Sequence, residues 1–129
     1  MSAILFNVQT AIVDALTSVA TMPAVYDHVP PEVAFPYVVY GPVHVTPYDA
    51  KAETGFEQVV TLTIWSRYRG GKETREIFQS LYDVLHRASL SVEGQDALYC
   101  EFHSADFSRD ADGLTYHAAA RFTVVTQSA

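Results

Sequence analysis

Apolar residues recur every three or four positions at the start of the chain. Ile4, Val8, Ala11, Ile12, Ala15, Leu16 and Val19 fall on one side of a helix, and Ser2 is placed to cap its first turn. The spacing predicts an amphipathic helix over about residues 3–20, ended near Met22-Pro23. A short strand over 24–28 follows, then the stiff connection VPPEVAFP, in which Pro30, Pro31 and Pro36 each remove a backbone donor and restrict the residue before them. PYVVYG alternates Tyr37 and Val39 against Val38 and Tyr40, the period of a strand. The next stretch, 42–55, is rich in proline, glycine and charge and reads as a polar loop suited to solvent or a partner.

Strand periodicity returns over 56–67, where Val60, Leu62 and Ile64 alternate with Val59, Thr61, Thr63 and Trp65. Both sides carry sizeable side chains, so a helix, a second sheet or another subunit is expected over part of the less apolar side. Gly70-Gly71 breaks this strand, and 72–88 predicts a second helix with Ile77, Phe78, Leu81, Leu85 and Ala88 as its apolar stripe. Glu73 and Glu76 near its start and Arg87 near its end suit the helix dipole. Two long β-prone runs, 97–108 and 114–126, flank the acidic turn SRDADG. In the second, Leu114, Tyr116, Ala118, Ala120, Phe122 and Val124 share one face, and Thr115, His117, Ala119, Arg121, Thr123 and Val125 the other. The element order is α-β-β-β-α-β-β, with no internal repeat, and the 129 residues suit a single domain, 1–129.

Charge narrows the possible functions. Fifteen acidic against eight basic residues give a formal net charge of −7, the opposite of what counterion displacement on nucleic acid requires. An acidic protein can instead stand beside DNA without adhering to it. The apolar N-terminus lacks a positive leader and is interrupted by Gln9 and Asp14, so neither a signal peptide nor a membrane span is expected. The lone Cys100 cannot form an internal disulfide, and its strand context predicts a buried, unreactive thiol.

Candidate chemistry is sparse. His28, His44, His86, His103 and His117 lack zinc-ligand spacing, and no nucleophile elbow, CxxC pair, HExxH helix or phosphate loop is present. Asp106, Asp110 and Asp112 cluster near a turn but lack the central glycine and final acid of a calcium loop, so a solvated hairpin tip is expected and no cofactor or structural metal. Arg67 and Arg69 form a short basic edge able to meet an acidic partner or to keep the strand soluble. Eight tyrosines, seven phenylalanines and one tryptophan exceed what one core of this size needs. Tyr40 and Trp65 are expected inside. Tyr48, within the polar stretch, is the better interface candidate, because tyrosine joins apolar area to a polar tip.

The opening helix, FPYVVYG, the passage LTIWSRYRGGKETREIFQSLYDVLH and the following LSVEG together resemble the small tail completion or tail terminator proteins of long-tailed bacteriophages and related gene transfer agents. The resemblance covers almost the whole chain. It implies an α+β fold, a mostly antiparallel sheet with two packed helices. It also implies a non-enzymatic virion protein that forms a hexameric ring on the head-proximal end of the tail tube, ending tube growth and joining tail to neck. Implied partners are further copies of the chain, the tail tube protein and a neck or connector protein. DNA would pass through the ring without specific binding, and assembly would take place in the bacterial cytoplasm without a membrane. Loop 42–55 would then face a neighbour, which makes Tyr48, Asp49, Lys51, Glu53, Arg67 and Arg69 the interface candidates. The alternatives are a neck or head-completion adaptor and, more distantly, a small hydrolase-like enzyme.

Overall fold

The computed structural model describes residues 4–49 and 54–128. The element order is α1 (Ile4–Thr17), β1 (Val25–Tyr26), β2 (Tyr37–Pro47), β3 (Gly55–Ser66), α2 (Lys72–Leu85), β4 (Gln95–Arg109) and β5 (Tyr116–Ser128). This is the α+β arrangement expected from the sequence. The strands form one sheet in the order β1-β2-β3-β5-β4, antiparallel throughout except for the short parallel β1–β2 pair.

Alternation decides which side of the sheet is dry. Val60, Leu62 and Ile64 of β3 lie opposite Phe122, Ala120 and Ala118 of β5, and all six are fully buried. Val8, Ile12 and Leu16 of α1 and Ile77, Leu81 and Leu85 of α2 join the same cluster, as do Val38 and Cys100 from the neighbouring strands. The strand residues in this cluster share one parity, so both helices cover the same face. Ala118 and Ala120 are small where bulky Ile64 and Leu62 face them, which leaves room for helical side chains to enter between the strands.

Several boundaries differ from the sequence expectation; β5 begins at Tyr116, which leaves Leu114 outside it and 67% exposed. The stretch 42–47 is strand, not loop: β2 continues past a bulge between Tyr40 and Val43 and pairs Val43 with Val60 and Pro47 with Phe56. The bulge holds Gly41 at φ 111°, a conformation that side chains disfavour, and it absorbs the local proline. Only Tyr48, Asp49 and Thr54 of the described residues in the expected loop stay outside the strands. Both helices also end earlier than their apolar periodicity. In α1 the hydroxyls of Thr17 and Ser18 bond back to Asp14 and Ala15 carbonyls, competing with the helical pattern. In α2 the chain turns at Arg87, φ 61°, whose N–H donates to the Cys100 carbonyl at 2.7 Å. Arg87 thus lies beyond the last turn instead of within it. The proposed Ser2 cap lies outside the described residues.

Leu81 is 0% exposed in the middle of the α2 stripe. Leu81→Ala is expected to cost about 2–5 kcal/mol through lost transfer energy and a cavity, read as a lower denaturation midpoint at unchanged slope. Gln58 makes the opposite case. It is fully buried on the same face, and neither amide atom has a hydrogen-bond partner among the described residues. Gln58→Leu is expected to be neutral or to stabilise by up to about 1–3 kcal/mol, in the same unfolding measurement.

Candidate functional site

The face of the sheet away from the helices carries the other parity: Tyr37, Trp65 and His117 in one row, Val39, Thr63 and Ala119 in the next, then Thr61 with Arg121, and Val59 with Thr123. No described helix or strand layer covers it. Trp65, expected in the core, lies here half-buried, with its ring 5.0 Å from that of His117. Tyr40 is in the core as expected, 6% exposed, and burial raises the pKa of its hydroxyl.

The histidines do not converge. His86 stacks on Tyr82 at 4.6 Å and accepts the Phe102 N–H at its Nδ1, while His103 bonds Ser104 beside a β4 bulge. No group of three or more His, Cys, Asp or Glu side chains able to hold a metal occurs among the described residues. The three aspartates considered for calcium are separately engaged. Asp106 pairs with Arg121 at 2.9 Å, Asp110 meets His117 Nδ1 at 2.6 Å, and Asp112 accepts the N–H groups of Leu114 and Thr115.

Ser108 and His117 face each other across the β4–β5 pair, with Ser108 Oγ 3.0 Å from His117 Nε2. Ser108–His117–Asp110 therefore has the hydrogen-bond order of a hydrolytic triad. Its setting is different from an active-site cleft: Ser108 is exposed within a strand, and the His117 and Asp110 side chains are each 31% exposed. Water at the array weakens its electrostatics. The contacts tie the β4–β5 turn back onto β5. Cys100, 0% exposed in β4, has its thiol pushed up to about 12 by burial, with Glu101 adding to the effect, which keeps it a thiol instead of a nucleophile.

The interface candidates separate into two places. Arg67 and Arg69 follow β3, at the end of the sheet where Ser66, Tyr116 and Arg109 align. Arg67 lies 4.5 Å over the Phe35 ring and donates to Thr115 Oγ1, while Arg69 is exposed. Tyr48 and Asp49 lie at the opposite end, where the Tyr48 N–H donates to the Gly55 carbonyl and Asp49 Oδ1 accepts the Gly55 N–H. Lys51 and Glu53 lie outside the described residues. A side chain at Gly55 would collide with the carbonyl oxygens of Tyr48 and Thr126, so glycine is needed for this close turn. Near it, the Tyr99 hydroxyl is pushed above its ordinary value by desolvation and then by Glu57, Tyr48 and Glu101. Sequence reasoning missed this acidic, aromatic end because Glu57, Asp96, Tyr99 and Glu101 lie on different strands. Strand alternation alone could have flagged Glu57 as facing away from Val60.

The described residues thus form an α+β sheet with both helices on one side and an open opposite face. A family described as tail completion protein gp17 matches residues 9–127. The chain belongs to this family and is a structural protein of a tail. A chain in the virion of a native gene transfer agent particle has the same fold, with a TM-score of 0.91 at 22% identity, covering 99% of this chain and 100% of that one. No curated protein sequence matches the chain.

The Asp112 carboxyl is held below its ordinary value of 3.8, chiefly by the Thr115 and Leu114 N–H groups. Its support of the turn is therefore complete above that value and is lost as pH falls through the lower folded value. Asp112→Ala is expected to speed amide exchange of Leu114 and Thr115, whose N–H groups lose their acceptor, as measured by NMR above pH 5.

Proposed function

We propose that this chain forms a closed, six-membered ring at the head-proximal end of a tail tube, where it stops tube growth and joins the tail to the neck. Membership of the tail completion family over residues 9–127 carries this reading. The uncovered face supports assembly, since Tyr37, Val39, Val59 and Trp65 remain only half-buried in the single chain. A ring buries surface of this kind. The whole chain acts as one domain in this role, without catalysis, and its partners are its own copies, the tube protein and a neck or connector protein. Its excess of acids, net −7, suits a ring through which DNA passes without sticking. Assembly takes place in the bacterial cytoplasm, and the protein ends in the tail of the finished particle.

The test is electron microscopy of particles made with and without this protein. Without it, tails are expected to be of irregular length or detached from heads, and adding it back restores a ring at the tube end. Normal tails in its absence would overturn the reading. Rings found on isolated heads but never on tubes would assign the protein to the neck instead.

A further inference from the structure

Folding sorts the charges of this chain by position. Five of its eight basic residues, Arg67, Arg69, Lys72, Arg75 and Arg109, gather at the end of the sheet where β3 stops and α2 begins. Arg75 reaches over Phe107, and together with Arg109 it lines a concavity of about 190 Å³. Three acids at this end are engaged in local hydrogen bonds, Glu73 with Ser66, Asp110 with His117, and Asp112 with the turn backbone, while Glu76 is exposed beside Arg75. Ion pairs among the described residues are confined to His117–Asp110 and Arg121–Asp106, so none of the five cations has a carboxylate partner there. Tyr68 and Leu114, 52% and 67% exposed, stand beside them.

The other end has the opposite character. Asp49, Glu57, Glu93 and Asp96 lie around the start of β3 and β4 and the end of β5, with Glu101 in the middle of β4 beside Arg87, again with no ion pair among the described residues. Exposed Tyr48 and Leu98 accompany them. The twelve residues of β3 separate the two ends by about 37 Å, several screening lengths at physiological salt. The two sets therefore do not neutralise each other within one molecule, and each remains open to solvent, counterions or a partner.

We infer that the basic, aromatic end of one copy docks on the acidic, aromatic end of the next, so that subunits join head to tail. This rests on the ring reading and specifies its contact. Each end matches the other in charge and offers exposed aromatic or aliphatic side chains, while two like ends would repel. A patch that binds a different patch on the next copy is a heterologous contact, the kind that closes rings. An acidic partner of another kind would satisfy the basic end but would leave the carboxylates unpaired. A second copy satisfies both.

The experiment uses tail tubes lacking this protein, incubated with purified full-length chain and scored by electron microscopy for terminal rings. One variant reverses the basic end (Arg69→Glu, Lys72→Glu, Arg109→Glu), and the other reverses the acidic end (Glu93→Lys, Asp96→Lys). All five side chains are exposed, and circular dichroism checks that each variant folds. Each variant alone is expected to cap tubes at a tenth or less of the wild-type frequency. An equimolar mixture, in which every contact again joins opposite charges, is expected to restore rings to at least half that frequency. Wild-type occupancy with either variant alone, or no recovery in the mixture of folded variants, overturns the head-to-tail contact and leaves the ring standing. Failure of the wild type to cap tubes overturns the ring reading and this contact together.

Discussion

Everything else in the structure depends on burying one face of the β3–β5 pair. Val60, Leu62 and Ile64, packed across from Phe122, Ala120 and Ala118, form the apolar floor on which α1 and α2 rest. Once this floor is covered, the opposite parity must face outward. Thr61, Thr63, Trp65, His117, Ala119 and Arg121 are placed on the second face by the two-residue period of the backbone, not by their own preferences. A tryptophan can therefore remain half-exposed in a chain that buries a glutamine.

The long edge strand is controlled by the end of α2. A fifteen-residue strand with a free edge invites unwanted pairing, yet β4 is interrupted by two bulges, at Leu98 and His103, and is held in its middle by Arg87 N–H on the Cys100 carbonyl and by His86 Nδ1 on the Phe102 N–H. The aromatic contacts of Phe78 with Phe102 and Phe107, and of Tyr82 with Phe102, fix the helix against the same strand. The early end of α2 is what allows this. Had the helix continued to residue 88, Arg87 could not have turned into the edge.

For a protein of assembly, the distribution of charge matters more than its sum. A net charge of −7 suggests only a reluctance to bind nucleic acid. The fold converts that sum into a polar object, with cations concentrated at the start of α2 and carboxylates at the far end of the strands. The Ser108–His117–Asp110 contacts belong to the same economy of position, because they hold the turn that carries Asp112 and Leu114 at the basic end.

The amino-acid sequence by itself determined the elements, their order and which residues share a face, because alternation and helical spacing are local consequences of backbone geometry. It pointed correctly to Leu81 and Leu85 in the core and to Cys100 as a buried thiol. It misjudged 42–47, where prolines and polar residues look like loop but a bulge at Gly41 lets them pair with β3. It also placed Trp65 inside, because periodicity shows that two faces exist without showing which one the helices cover. Only the tertiary structure decided that both helices take the same face. It likewise separated Arg67 and Arg69 from Tyr48 and Asp49, since charges distant in the chain become neighbours or opposites only when strands fix their register.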